Sequence, residues 1–573
     1  MGADTAEYLD CLRQGCSSFV LLLLVPLTIL LIGPAIRPVQ AVHQLTFQRM
    51  QQYDLSGSSR GSSGVSLNCE VRTLSSASVT RRCVVLSWKE FIANDLRSIV
   101  NRGVVALIIV LPRNLSTIDG DNRQAFVEAE RSILRMELQI PVYFANQTDV
   151  VTEWLQSLSF HAELNAPQTA VEELMQQITG DYFYLSSNQY SVKQLNDAKA
   201  TNFVGRLGSG SAVGGSENQG VIVLVAHLDA FGVAPSLSFG ANSDASGVAA
   251  VAETVRVLSK LSRSQKSSPK IDLMVLISGG GKYNFFGTKK WLDEQGENAE
   301  SSLASRIRYA VCVDGVGNGG QLRTYVSRPP KEGSTIGRSL QFLNQTSEKV
   351  MDEVALMVHK KINLADDELA WEHEQFSLAK VPAFTLSRVS MDSGSERRTI
   401  LDVDSAIDMK FLMKTVEILT KTLAADMYGF TEDESNVLDS SFLAVDEDNI
   451  KSWMRLLTQQ PRSLQMLTAD HPAMAAVKEH LTKHLTEVTI KQLTEKGDTE
   501  LIVYGPMEVT VTASRTKQPF FDLLLTAVIG LYGALVYFLL QYVDLITVAR
   551  RLLGPLLLGS GIRTRYSKPT KYQ

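Results

Sequence analysis

Residues 221–251 read VIVLVAHLDAFGVAPSLSFGANSDASGVAAV. The stretch opens with an apolar run, 221–226, of the length of one buried strand, and His227-Leu-Asp229 stands at that strand's end. A loop follows, then Gly240-Ala-Asn-Ser-Asp244-Ala-Ser246-Gly247, then an apolar-periodic helix over about 248–261. In an open α/β sheet, ligands bind at the carboxyl ends of the strands. A His and an Asp two apart at that place suit a metal site, the imidazole ligating and the carboxylate orienting it. Downstream, strands over 271–277, 307–313 and 383–386 alternate with helices over about 287–294, 335–360 and 405–425. That alternation predicts an α/β fold with a mostly parallel sheet flanked by helices.

Over roughly residues 195–425 the pattern resembles the M28 zinc aminopeptidases and their non-peptidase, nicastrin-like relatives. The resemblance implies a two-metal centre. An Asp bridges the ions, a His and an Asp complete one site, a Glu and a His complete the other, and a neighbouring Glu is the general base. His227 matches the first metal His and Asp229 the Asp behind it. Asp314, after strand 307–313, matches the third carboxylate, and His373 in Trp371-Glu-His373-Glu-Gln-Phe376 matches the last His. Three positions fail. The bridging Asp's place after Gly240-Ala241-Asn242 is held by Ser243. The Glu-Glu pair, placed from Asn284-Phe-Phe-Gly287-Thr288, reads Gly281 and Lys282.

A two-metal hydrolase needs the bridge to hold both ions and a carboxylate to take the proton from the metal-bound water. Serine is a poor anionic bridge, and glycine accepts no proton. Lys282 brings positive charge to the cavity and can pair with Asp229 or Asp314 in place of the missing metal. The expectation is a hydrolase scaffold without its hydrolase and without a metal cofactor. His227, Asp229, Asp314 and His373 are then vestigial, and Ser243, Gly281 and Lys282 degenerate. A single residual ion on His227 and Asp314 would have two ligands, one short of an open catalytic site.

Other motifs read blandly. Gly279-Gly-Gly-Lys282 is not a phosphate loop, because Leu276 and Tyr283 stand where that pattern needs Gly and Ser or Thr. His480 and His484 are one helical turn apart, but Lys478 and Lys483 flank them, which predicts a solvated face. Ser246 sits at a helix start, where a hydroxyl caps a backbone N–H. Trp371 and Phe376 are read as core.

The chain has 573 residues and a formal net charge of −5, which gives no electrostatic case for nucleic acid. No charge occurs between Arg13 and Arg37, which predicts a signal peptide over 1–41, cleaved after Ala41 or kept as an anchor. Residues 523–543 carry no charge, and at ~1.5 Å per residue they span a bilayer core of ~30 Å. Beyond Asp544 the only charges are basic, so 544–573 is a cytosolic tail and the bulk of the chain is lumenal. Between lie a smaller N-terminal α/β lobe (42–194), the peptidase-like domain (195–428), a juxtamembrane stalk (429–519) and a transmembrane helix (520–543). Residues 56–66, rich in Gly and Ser, predict a mobile loop, and 67–86 two strands with a hairpin-like stretch between Cys69 and Cys83. Those cysteines are the disulfide candidate in an oxidising lumen, and Cys312 reads as a buried thiol. Asn114, Asn146 and Asn344 head glycosylation triplets.

The leader, lumenal domain, late span and basic tail also resemble the layout of nicastrin-like subunits of the endoplasmic reticulum membrane. That likeness implies a non-enzymatic subunit assembling with the lumenal protein Nodal modulator and a small multi-spanning membrane protein. It further implies association with the ribosome-bound translocon, a part in multi-pass membrane protein biogenesis, and a link to Nodal signalling. Two other classes stand beside it. One is an active zinc aminopeptidase with a relocated ligand. The other is a receptor holding peptide termini uncut.

Overall fold

The computed structural model describes residues 41–76, 79–164, 183–189, 191–208, 219–264, 269–297, 303–366, 368–391, 394–430, 444–493, 500–515, 523–538 and 541–542. Residues 1–40 of the leader and the whole basic tail lie outside them.

The site is carried by an eight-stranded sheet. Its strands are β1 (Thr201–Leu207), β2 (Val221–His227), β3 (Asp272–Ser278), β4 (Ile307–Val313), β5 (Arg323–Val326), β6 (Leu356–His359), β7 (Ala383–Ser387) and β8 (Thr486–Gln492). They lie in the order β6-β5-β7-β4-β2-β3-β1-β8. The central four, β7-β4-β2-β3, are mutually parallel. Outside them β5 runs antiparallel to β7, and β1 antiparallel to both β3 and β8. The sheet is therefore parallel where the site sits and mixed at its flanks.

Helices cover both faces: α1 (Ser246–Ser264), α2 (Phe286–Glu297), α3 (Thr335–Met351), α4 (His373–Leu378), α5 (Met409–Tyr428), α6 (Glu447–Thr458) and α7 (Pro472–His484). The period-two geometry of β2 divides its side chains between two cores. Ile222, Leu224 and Ala226 pack with α1, α3 and α5, while Val221, Val223 and Val225 pack with Trp291 of α2 and Phe376 of α4. Every residue of β2 is buried, so burial on both faces explains why its run is continuously apolar.

Several expectations are corrected. The N-terminal lobe contains helices, among them Gly120–Leu134, alongside its strands, but most of those strands belong to a closed seven-stranded barrel. Its strands, in order around it, are Ala41–Arg49, Glu508–Arg515, Phe183–Ser187, Asn68–Thr73, Cys83–Ser87, Ala106–Leu111 and Val142–Asn146. The expected mobile loop at 56–66 contains the strand Ser58–Ser62, paired antiparallel with Gln52–Leu55. Cys69 and Cys83 are joined, with Cα atoms 5.7 Å apart, but their strands pair in parallel, so no hairpin lies between them. The helix expected over 335–360 stops at Met351, where Asp352 takes a left-handed conformation and the chain turns into β6.

The expected stalk at 429–519 is instead dispersed through the globular body. Ile450, Trp453 and Leu457 of α6 and Val477 and Leu481 of α7 enter the main core. Then β8 edges the main sheet, Leu501–Gly505 joins a second, five-stranded sheet, and Glu508–Arg515 closes the barrel. The expected solvated face of α7 is also packed: His480 lies edge-on to Trp453 at 5.1 Å and contacts the Ala252 carbonyl at 2.8 Å. Asn114 and Asn146 are exposed, whereas Asn344 lies on α3 with Thr346 buried.

Residues 523–538 are helical, with Leu523, Leu531, Leu535 and Phe538 exposed. Among the described residues no helix is long and apolar enough to cross a membrane. The rest of the expected span lies partly outside them.

Candidate functional site

The site forms where β2, β3 and β4 end. His227 terminates β2 and is 1% exposed. The following loop returns through Gly240, whose φ of +61° is left-handed. A Cβ at Gly240 would stand 1.9 Å from Asp244 Oδ2, so the turn admits no side chain there. One turn of π-helix, Ala241–Ala245, precedes α1. Such turns reset which side chain faces inward and are frequent at functional sites. Here Asp244, one residue beyond the expected bridging position, meets the imidazole: His227 Nε2 is 3.0 Å from Asp244 Oδ1. Ser243 instead donates its hydroxyl to Asp244 Oδ2 at 3.0 Å. Asp402 caps the turn, accepting the N–H groups of Asn242 and Ser243 at 2.7 and 2.8 Å.

The other imidazole nitrogen has an unforeseen partner. His227 Nδ1 lies 3.3 Å from Glu372 Oε2, and Glu372 Oε1 accepts the hydroxyls of Ser278 and Thr288. Asp229, expected to orient the imidazole, accepts the Gly281 and Lys282 N–H groups at 2.7 and 3.1 Å. It fixes the loop after β3. At Gly281 a Cβ would meet the His227 Cβ at 2.3 Å, so this backbone cannot carry a general base at 281.

Lys282 does enter the cavity, 4% exposed, but pairs with neither Asp229 nor Asp314. Its Nζ is 2.8 Å from Asp244 Oδ1. Asp314 is taken by Arg397, 2.6 Å away, whose guanidinium lies 3.9 Å over the Trp371 ring. Trp371 stacks in turn on Tyr325 at 4.1 Å. The last expected ligand, His373, contacts the Thr385 hydroxyl at 2.8 Å through Nδ1. Under the loops lies Arg462, fully buried, donating to the carbonyls of Leu228, Phe239, Gly240 and Leu457.

These contacts set the charges. Burial and the Lys282 ammonium push the His227 imidazole down, but its hydrogen bonds to Asp244 and Glu372 prevail and lift it to about 10. It is an imidazolium with a carboxylate at each nitrogen. Burial raises the Asp244 carboxyl, but Lys282 and His227 outweigh it and hold the group below its ordinary value. Burial raises Asp229 and Asp402. Burial, helped by Lys360, lowers His373 to about 3, so that ring is neutral.

A histidine ligates a metal through a neutral nitrogen's lone pair, and a carboxylate through an oxygen not already claimed by a cation. Both His227 nitrogens face carboxylates, and Asp244 and Asp314 each hold a basic side chain, while Asp314 Oδ1 and His373 Nε2 are buried without a hydrogen-bond partner. Among the described residues no three His, Cys, Asp or Glu gather to hold an ion. The residues present do not fit the two-metal centre that the family resemblance implies.

The Peptidase family M28 model matches residues 202–421. The dog protein described as BOS complex subunit NCLN is 34% identical over 558 residues, which cover 96% of this chain and 98% of that protein. The chain belongs to the nicalin family. The Caenorhabditis elegans protein named Nicalin is 27% identical over 518 residues, 86% of this chain and 89% of its own length. Among solved structures, the gamma-secretase component Nicastrin matches with a TM-score of 0.53 at 8% identity, covering 82% of this chain and 98% of that one. That likeness concerns the fold alone.

For this nicalin-family chain, sequence reasoning missed five residues of the cluster: Asp244, Glu372, Arg397, Asp402 and Arg462. Two carried a signal. Asp244 lies in the same glycine-bounded turn as Ser243, and Glu372 directly precedes His373. The other three come from distant segments, and only the fold brings them in.

Proposed function

We propose that this chain is a non-catalytic subunit of a membrane complex, with the peptidase-like domain as its scaffold. The observation that carries the reading is that Lys282 and Arg397 sit on Asp244 and Asp314, at the end of the sheet where hydrolytic metal ions would be held. His227, Asp229, Asp314 and His373 are vestigial positions on this reading, and Ser243, Gly281 and Lys282 mark the lost bridge, base and second-site ligand.

The full-length likeness to proteins described as BOS complex subunits supports membership of such a complex. The exposed apolar side chains of 523–538 support a membrane anchor, since a soluble surface rarely leaves so many uncovered in one helix. The chain on this reading is a single-pass type I protein of the endoplasmic reticulum with its bulk in the lumen. Its partners are a Nodal modulator-type lumenal protein and a small multi-spanning membrane protein. It works beside the ribosome-bound translocon in multi-pass membrane protein biogenesis, with an effect on Nodal signalling.

The test is purification of the full chain from membranes in mild detergent, with zinc analysis and aminopeptidase assay on one aliquot and identification of co-purifying proteins on another. Co-purification of the two partner types without stoichiometric zinc is the expected result. Two zinc ions per chain with chelator-sensitive cleavage would establish the aminopeptidase instead.

A further inference from the structure

We propose that the cleft above Lys282 and Arg397 binds an acidic peptide segment. The cleft has a volume of about 800 Å³, within the range of pockets that take a ligand. Seven of its lining residues are Lys or Arg and three are Asp or Glu, although the whole chain carries a net charge of −5. The basic excess is local. Part of it is neutralised from behind: Arg397 pairs with Asp314, and Arg60 and Arg398 share Glu368. Arg135 and Lys360 have no ion-pair partner among the described residues and are the groups free to take a carboxylate.

Two features favour a peptide over a small free anion. The basic side chains come from separate segments: Arg60 from the strand Ser58–Ser62, Arg135 from the end of the helix Gly120–Leu134, Lys360 after β6, and Arg397 and Arg398 from the turn near 394–397. A helix-terminus phosphate site gathers its donors from one backbone segment onto one point, whereas these side chains are spread over four segments. Tyr53, Phe231 and Phe285 also line the cleft, and they offer apolar area that a bare anion cannot use and a peptide's side chains can. Five of the seven basic residues are arginines, which bind carboxylates through two parallel N–H donors. The inference extends beyond the scaffold reading and holds whether or not the chain joins a complex.

The experiment is fluorescence anisotropy on the detergent-purified full chain with three labelled peptides of equal length, rich in Glu, in Gln or in Lys. The Glu peptide is expected to bind at least about tenfold more tightly than the others, a difference of about 1.4 kcal/mol. Its affinity falls as salt is raised. Arg135→Glu with Lys360→Glu weakens the Glu peptide by about tenfold or more at unchanged melting temperature. If that pair fails to fold, Lys360→Gln alone gives the smaller loss expected of one charge. Equal binding of the Glu and Gln peptides, or Glu-peptide binding unmoved by the charge changes, overturns the proposal. So does failure of the Glu peptide to bind while inorganic phosphate protects the cleft, which would make it a small-anion site.

Discussion

Replacing Lys282 with Met keeps most of the side-chain volume and removes its charge. The ammonium lies 2.8 Å from Asp244 Oδ1, and both side chains are almost wholly buried. At an effective dielectric constant of ~20 the direct attraction is ~6 kcal/mol. Much of that offsets the cost of taking both charges out of water, and removing one partner of a buried pair costs about 3–5 kcal/mol because the other is left uncompensated. Asp244 retains the His227 imidazolium at 3.0 Å and the Ser243 hydroxyl at 3.0 Å, which places the loss at the lower end. We expect Lys282→Met to destabilise the domain by about 3 kcal/mol, a fall in melting temperature of about 3 °C for a body of this size.

The assay is thermal unfolding of the detergent-purified full chain, carried out as a double-mutant cycle with Asp244→Asn. Each single variant leaves a buried charge with fewer partners. The double variant removes both, so its loss should be smaller than the sum of the singles by about 2 kcal/mol. Additive losses, or a Lys282→Met protein as stable as the parent, would refute the reasoning that this ammonium holds the site together.

Glu130, fully buried, accepts the N–H groups of Val233 and Ile400 at 2.7 and 3.1 Å and the Thr399 hydroxyl; burial raises its carboxyl to about 7 against those bonds. A carboxyl raised in the folded state binds its proton there first, so stability falls as pH rises from about 4.5 to 7, by up to about 3 kcal/mol. Glu130→Gln should remove that slope, as seen by melting temperature against pH. Arg397→Ala should cost about 3 kcal/mol and shift tryptophan emission to the red as Trp371 loses its covering guanidinium; Arg397→Lys should restore only part, since an ammonium cannot lie flat on the ring. Gly281→Glu with Lys282→Glu returns the family's carboxylates in name. It should yield no zinc-dependent aminopeptidase activity and a less stable protein, because a Cβ at 281 lies 2.3 Å from His227 Cβ.

The parallel centre of the main sheet was legible because burial on both faces writes itself as an unbroken apolar run followed by a periodic helix, as in residues 221–264. The elements that escaped are those whose stability comes from pairing. Ser58–Ser62 has little apolar content and exists through its ladder to Gln52–Leu55. The edge strand Thr486–Gln492 is exposed along most of its length and has no buried face to mark it. At the site, the missing carboxylates could be read from the family pattern, residue by residue. Their replacements could not, because Arg397 reaches Asp314 across 83 residues of chain and Glu372 reaches His227 across 145.

Arg462 gives the degenerate site a structural meaning. In a metal centre, the ions cross-link the loops at the ends of the strands. Here Arg462 ties the loop through 228–240 to the end of α6 by donating to four carbonyls, and Ala230 bridges to Ser463 beside it. Lys282 joins the loop after β3 to the turn before α1, and Arg397 joins Asp314 to the Ala370 carbonyl. Three basic side chains thus hold these loops together as fixed charges that no chelator can extract. Arg462 belongs to the segment 444–493, so that segment is fastened to the loop that follows β2. The cluster therefore helps to hold the C-terminal segment in the fold, a role that needs no chemistry on a substrate.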